Sequence, residues 1–381
     1  RNNLNLQELS CSEIDEESKH FSPISNFGRT RPRVYKDIFQ CCDELEIDSK
    51  DLKREKQKIL RYRPGAWIEK VGDLKTSDYD VPKTTCLLLV GPSGSGKSSL
   101  INRISKVLED DKSAPARTQE SYNSLTGDGT YFLQEYMIPR DSDSICLCDT
   151  RSLSDISDKD ENNRMLKSWM TKGVHHGELI VRKTDNKRLK KNLKDKAYKK
   201  DYFSSKTRKV NSVIYVVNGL LVLKAMENAG ALETQYIETI VSTFNCPFLS
   251  FKDDKPVLVF THGDLLSLSE RALVRAHLGS LLGIPPTKQI FDIPDCDCPV
   301  TESAIIGMLR YSLAHADRNF SHKNKVMDMA HKVSVSLYMV VLILGIGAAV
   351  GLIQNTKVEV PHPKLKVSKC NPTIEWHKTH I

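Results

Sequence analysis

Several features that would place a chain in a class at once are missing here. The ten cysteines never form a pair of C-x-x-C units, so a zinc finger or ribbon has little support. No internal repeat is visible. The seven-residue spacing of Leu45, Leu52 and Ile59 stops after three positions, too few for a coiled coil. A docked or solvated helix within Asp43–Tyr62, ending before Pro64-Gly65, is expected instead. Net positive charge is also confined to one segment. Residues 182–209 hold thirteen Lys/Arg against three Asp, a net of +10 within a total of +8, so the rest of the chain is near −2. That segment has little aromatic interleaving beyond Tyr198 and Tyr202, which ranks nucleic acid below a solvated insert or anionic lipid headgroups as its role. His175-His176 has no carboxylate or cysteine at ligand spacing and reads as an exposed loop pair. Cys86, Cys146 and Cys148 lie in apolar runs, as small buried hydrophobes do, and Cys296-Asp297-Cys298 reads as a plain loop. Unpaired thiols suit a reducing, cytosolic setting.

What is present is a phosphate loop. The apolar run Cys86–Val90 is followed by Gly91-Pro92-Ser93-Gly94-Ser95-Gly96-Lys97-Ser98-Ser99 and then by a helical pattern. Strand, glycine-rich turn and helix start form the context in which G-x-x-x-x-G-K-[ST] acquires meaning. Glycines let the backbone wrap a polyphosphate, the helix N-terminus points its N–H groups at it, and Lys97 adds a positive charge. Ser98 offers a hydroxyl for Mg²⁺.

Two further strand ends add chemistry. Asp149 closes the run Ile145–Cys148, at the carboxyl edge where ligands bind in open α/β sheets, and can support a phosphate-bridging Mg²⁺. The strand Val257–Phe260 delivers Thr261-His262-Gly263-Asp264. Guanine carries donors at N1 and N2 that one carboxylate accepts together, whereas adenine has no such pair, so Asp264 there selects guanine.

In this order, the phosphate loop, Asp149-Thr150-Arg151-Ser152-Leu153 and Thr261-His262-Gly263-Asp264 resemble the motifs of GTP-binding domains of the TRAFAC class. They are most similar to the septin-like, AIG-type immune-associated and interferon-induced GTPase families. The GTPase receptors of the chloroplast outer envelope are similar in joining such a domain to a C-terminal anchor. The resemblance covers about residues 82–320. It implies GTP/GDP and Mg²⁺ as ligands, with Gly91 to Ser99 around the phosphates and Lys97 on the β and γ groups. Ser98 and Asp149 would then serve the metal, Lys97 and Asp149 the hydrolysis, and Thr261, His262 and Asp264 the base. It also implies a switch-loop threonine, for which Thr118 and Thr126 are the candidates. There are departures. Ser152 stands where the families' Asp-x-x-Gly has glycine, Thr261-His262 replaces Asn-Lys, and no water-positioning Gln follows Asp149. Binding is therefore better supported than fast turnover, and a slow or dimerisation-dependent GTPase, with a homodimer as partner, fits the pattern. An ATP-using P-loop enzyme and a nucleotide-binding scaffold without turnover stay open as alternatives.

Alternating strands and helices predict an α/β, three-layer P-loop NTPase with a mostly parallel sheet. The expected strands are Thr84–Val90, Thr130–Ile138 at an edge, Ser144–Cys148, Val213–Val217, Pro256–Phe260 and Gln289–Ile293. The expected organisation is a polar arm and helix over 1–81, the nucleotide-binding domain over 82–322 with the basic insert 182–209, and a tail over 354–381. Val333 to Ile353 holds 21 residues without a charge, enough at 1.5 Å each to cross a bilayer core of about 30 Å. It is read as one C-terminal transmembrane helix that leaves the nucleotide-binding domain facing the cytosol. The opening residue, Arg1, suggests a start that is trimmed or incomplete.

Overall fold

The computed structural model describes residues 49–68, 75–109, 117–118, 130–154, 159–199, 207–227, 230–251, 254–323 and 339–347. Six strands form one sheet: β1 (Thr85–Val90), β2 (Gln134–Met137), β3 (Ile145–Asp149), β4 (Ser212–Asn218), β5 (Val257–Thr261) and β6 (Ile290–Asp292). Their order is β2-β3-β1-β4-β5-β6, with every neighbouring pair parallel except β2–β3 at the edge. The central strands β1, β3, β4 and β5 are buried along their full length. That explains their nearly continuous apolar sequence, since both faces of a parallel sheet are covered.

Alternate side chains along each strand enter two separate cores. Cys86, Leu88 and Val90 of β1 join Tyr215, Val217 and Phe260 on one face. Against them pack α3 (Lys159–Lys172), α5 (Gly219–Glu227), α6 (Ala231–Phe244) and α7 (Leu268–Leu282), through residues such as Trp169, Val222, Phe244 and Leu278. Leu87 and Leu89 face the other way, toward α1 (Ser49–Leu60), α2 (Lys97–Glu109) and α8 (Pro299–Arg318). The result is an α/β P-loop fold in three layers. The basic segment forms α4 (Lys187–Lys199), which buries Leu193 among its lysines.

The strand expected across Thr130–Ile138 shortens to β2, because Tyr131 to Leu133 leave β3 and pair with Glu178 to Ile180 instead. There Leu133 N–H donates to the Glu178 carbonyl and Ile180 N–H to that of Tyr131. His175 and His176 are loop residues, but they have partners. Glu135 N–H donates to His176 Nδ1 at 3.0 Å, and the His175 ring meets the Thr207 hydroxyl.

Residues to His322 form one compact unit and Lys323 onward a second. In the second unit residues 339–347 are helical, with Val341, Ile343 and Leu344 each more than 60% exposed. The remainder of the expected span 333–353 lies outside the described residues, as do the arm before residue 49 and the tail 354–381. Among the described residues no helix is long and apolar enough to cross a membrane.

One polar contact docks α1 and its trailing turn onto α8. Asp317 is fully buried and its carboxylate accepts from Tyr62 OH (2.5 Å), Gly65 N–H (3.0 Å) and Trp67 N–H (2.8 Å). Burial still holds its pKa above the ordinary value. Asp317→Ala leaves the Gly65 and Trp67 N–H groups without their acceptor and Tyr62 OH with Thr85 Oγ1 alone (2.8 Å), and is expected to cost about 3 kcal/mol. Tyr62→Phe removes one donor and is expected to cost about 1 kcal/mol. Urea denaturation of the two variants checks this, and equal midpoints would contradict it.

Candidate functional site

The phosphate loop is shaped by backbone limits before any side chain acts. A Cβ on Gly91 would sit 2.1 Å from the Val216 carbonyl oxygen, so β1 can leave the sheet beside β4 only with glycine there. Gly96 holds φ +81, a conformation costly for side chains, and a Cβ there would press on Thr261 at 3.1 Å. α2 then starts directly at Lys97 and aims its first N–H groups at the loop's concavity.

Lys97 is 6% exposed, and its Nζ donates to the carbonyls of Gly91 (3.2 Å) and Pro92 (3.3 Å) and to Ser152 Oγ (3.0 Å). Burial holds its amine at about 8, down from 10.5; attraction to Asp149 opposes that and the nearby Arg182 charge adds to it. Ser152, in the glycine position of the motif, therefore occupies the lysine from the side. The segment carrying it runs alongside the loop, with Leu153 N–H donating to the Gly91 carbonyl at 2.9 Å.

Asp149 is fully buried at the end of β3. Its Oδ2 accepts from Ser98 Oγ at 2.7 Å and Thr130 Oγ1 at 3.3 Å, while its buried Oδ1 has no partner. Burial pushes this carboxyl up despite Lys97, Ser98 and Thr130. Three hard oxygen donors and an orphaned carboxylate oxygen suit a small divalent cation, and Mg²⁺ in particular. Thr130 was not among the expected switch threonines. Thr118 instead spends its hydroxyl on the Ser98 carbonyl at 2.8 Å and pairs its backbone with Asn102, which fixes it to α2. Thr126 lies outside the described residues. No local pattern distinguishes Thr130; only its chain position just before the edge strand hints at it.

The end of β5 is tied to the same loop. Thr261 Oγ1 donates to the Ser95 carbonyl at 2.9 Å and lies 3.2 Å from the Val217 carbonyl. Asn218, at the end of β4, adds a donation to the Gly94 carbonyl at 3.3 Å, a contact that no sequence motif marks. His262 follows in the left-handed region at φ 60, ψ 24, and burial lowers its pKa against the pull of Asp264. This turn leaves Asp264 exposed, with Oδ1 accepting from Asp295 N–H at 2.9 Å. Behind it Arg271 pairs with Asp292, whose Oδ1 is buried close to Gly263. Of the residues expected in the site, Gly91 to Ser99 and Asp149 form one cluster, Thr261 anchors to it, and Asp264 stands at its rim. Ser93, Gly94 and Ser99 are exposed along the loop, whereas Pro92 and Ser95 are buried.

The basic segment also reaches this cluster. Arg151 is buried, forms a two-pronged pair with Asp185 (2.6 and 2.5 Å), donates to the Ile180 carbonyl at 2.8 Å and lies over the Tyr131 ring.

No protein-family model matches the chain and no curated protein matches it. Among solved structures it is similar to a probable GTP-binding protein engB, at 13% identity and a TM-score of 0.28, over 55% of this chain and 89% of that one. It is also similar to the signal recognition particle receptor SRb-GTP/SRX complex from Chaetomium thermophilum, at 15% identity and a TM-score of 0.28, over 52% and 78% of the respective chains. Likeness this distant leaves the functional reading to the site.

A lysine held near 8 when the loop is empty should regain its proton when a polyphosphate arrives. Binding of a nucleoside triphosphate at pH 9 is therefore expected to take up a proton, and affinity to fall toward tenfold per pH unit above about 8. Titration calorimetry in two buffers of unlike ionisation heat measures the uptake. Equal heats in both buffers, or uptake that persists in Lys97→Met, would contradict this assignment.

Proposed function

We propose that this chain is a guanine-nucleotide-binding P-loop protein that uses Mg²⁺ and turns GTP over slowly to GDP and phosphate, or only on pairing with a second copy. The observation that carries the reading is Asp149 with its orphaned Oδ1 between Ser98 and Thr130, directly behind a P-loop lysine. Ser98, Thr130 and Asp149 would hold the ion, whose positive charge neutralises phosphate oxygens when bound. Lys97 and the loop N–H groups bind and orient the phosphates. Asp264, exposed beyond the end of β5, offers its carboxylate to the N1 and N2 donors of guanine.

A second reading, binding without turnover, is favoured by one contact. Lys97 donates to Ser152 Oγ, in the place where the resembled families have a glycine whose N–H meets the γ-phosphate. A side chain there hinders that approach. ATP use is the competing reading, and Asp264 argues against it because adenine leaves the carboxylate without its donor pair.

We further place the protein at a membrane, with 333–353 as the anchor and the nucleotide-binding domain on the cytosolic side. The exposed apolar side chains of 339–347 support this, and the lysine-rich α4 would meet anionic headgroups there.

Asp264→Asn tests the base assignment. Replacing an acceptor pair by one donor and one acceptor is expected to weaken GTP about a hundredfold and to favour xanthosine triphosphate. Competition against a fluorescent nucleotide measures both. Unchanged GTP affinity would mean that Asp264 does not read the base.

A further inference from the structure

The loop between β6 and α8 carries the C-x-C Cys296-Asp297-Cys298, and the fold brings it to the rim where Asp264 stands. Cys296 and Cys298 are partly exposed, their Sγ atoms lie 2.6 Å apart, and Thr301 Oγ1 is 3.0 and 3.2 Å from them. The loop is tied on both sides to elements of the nucleotide site. Asp295 N–H donates to Asp264 Oδ1 at 2.9 Å. Arg103 of α2 donates to the Cys296 carbonyl at 2.7 Å and pairs with Asp295 and Asp297. The thiols of Cys86 and Cys148, 3.3 Å apart, are by contrast fully buried against the sheet and out of reach of a reagent.

We propose that Cys296 and Cys298 are a redox modification site, closed to a disulfide by a low-molecular-weight disulfide, and that closure withdraws Asp295 N–H from Asp264. Only the consequence for nucleotide affinity rests on the guanine reading above. Closure needs the sulfurs at about 2.05 Å with a Cβ–S–S–Cβ dihedral near 90°. Drawing the sulfurs from 2.6 Å to bonding distance across a single intervening residue requires the loop between β6 and α8 to shift. The contacts in its path are Asp295 to Asp264 and Arg103 to Cys296.

The exchange balances. The Cys298 thiolate attacks one sulfur of R–S–S–R, forming a mixed disulfide and expelling RS⁻, which takes up the proton Cys298 released. The Cys296 thiolate then attacks the Cys298 sulfur and expels the second RS⁻, which takes up the Cys296 proton. Two protein thiols are oxidised by two electrons and one reagent disulfide is reduced to two thiols. Cys298 is the better attacker because it is the N-cap of α8. Burial pushes its thiol up, but contacts with the Cys296 thiol, the Thr301 hydroxyl and the first N–H groups of α8 outweigh that and hold it below the ordinary value. Burial raises Cys296, which suits the second, resolving step.

The test equilibrates the full chain with glutathione disulfide or with dithiothreitol and reads three quantities. The tryptic peptide 289–310 holds both cysteines and no other. It is expected to lose two hydrogens and to resist alkylation in the oxidised sample. The Asp295 amide is expected to exchange about tenfold faster, and GDP affinity to fall about tenfold. Dithiothreitol should reverse all three, and in Cys296→Ser and Cys298→Ser the remaining thiol can go no further than a mixed disulfide, so neither variant should lose two hydrogens or speed Asp295 exchange. A peptide that stays a dithiol, one that stops at a mixed disulfide, or a disulfide that leaves Asp295 exchange unchanged overturns the proposal. If the reduced protein binds no guanine nucleotide, the function proposed above fails, while the mass and exchange readouts still decide this one.

Discussion

The arrangement depends on one electrostatic constraint: a lysine and an aspartate, Lys97 and Asp149, are desolvated together at the carboxyl ends of β1 and β3. Neither charge is comfortable there, since burial lowers the lysine's pKa and raises the aspartate's. A fold keeps such a pair only where something else satisfies it. The carbonyls of Gly91 and Pro92 and the hydroxyls of Ser98, Thr130 and Ser152 do so in part. Asp149 Oδ1 is left over. An anion on the lysine side and a cation on the aspartate side complete the balance, which is the charge pattern of a magnesium-bound polyphosphate.

The rest of the domain serves to hold that edge still. Gly91 lets β1 pass the Val216 carbonyl, Thr261 and Asn218 pin the loop from β5 and β4, and the two cores clamp the sheet from both faces. The docking of α1 through Asp317 extends one of those cores toward the N-terminal side, and Arg151 with Asp185 joins the basic segment to the strand that carries Asp149. The insert is thus built into the site's wall at its root, even where Lys187, Lys191 and Lys194 face solvent along α4.

The layered fold was legible because its strands are buried on both faces and so spell themselves as unbroken apolar runs. The helices α3 and α5 were harder to see. α3 buries little apolar surface beyond Leu166 and Trp169 among charged residues, and α5 follows β4 without a break, so no loop marks its start. The phosphate loop was legible because its chemistry is local, with each glycine and the lysine at a fixed offset. Thr130, Asn218 and Arg151 were not, since they matter only through partners far away in sequence. The same holds for Cys296 and Cys298, which gain interest from Asp264, a residue on another strand's exit.

The central claim is that the edge formed by Lys97, Ser98, Thr130, Asp149 and Asp264 binds guanine nucleotide with Mg²⁺. Direct titration of the full chain with GTP, GDP and ATP, each with and without Mg²⁺, tests it in one series. The account requires GTP and GDP to bind at least about a hundredfold more tightly than ATP, with GTP gaining affinity when Mg²⁺ is added. Equal or tighter ATP binding, or GTP affinity indifferent to Mg²⁺, would contradict it.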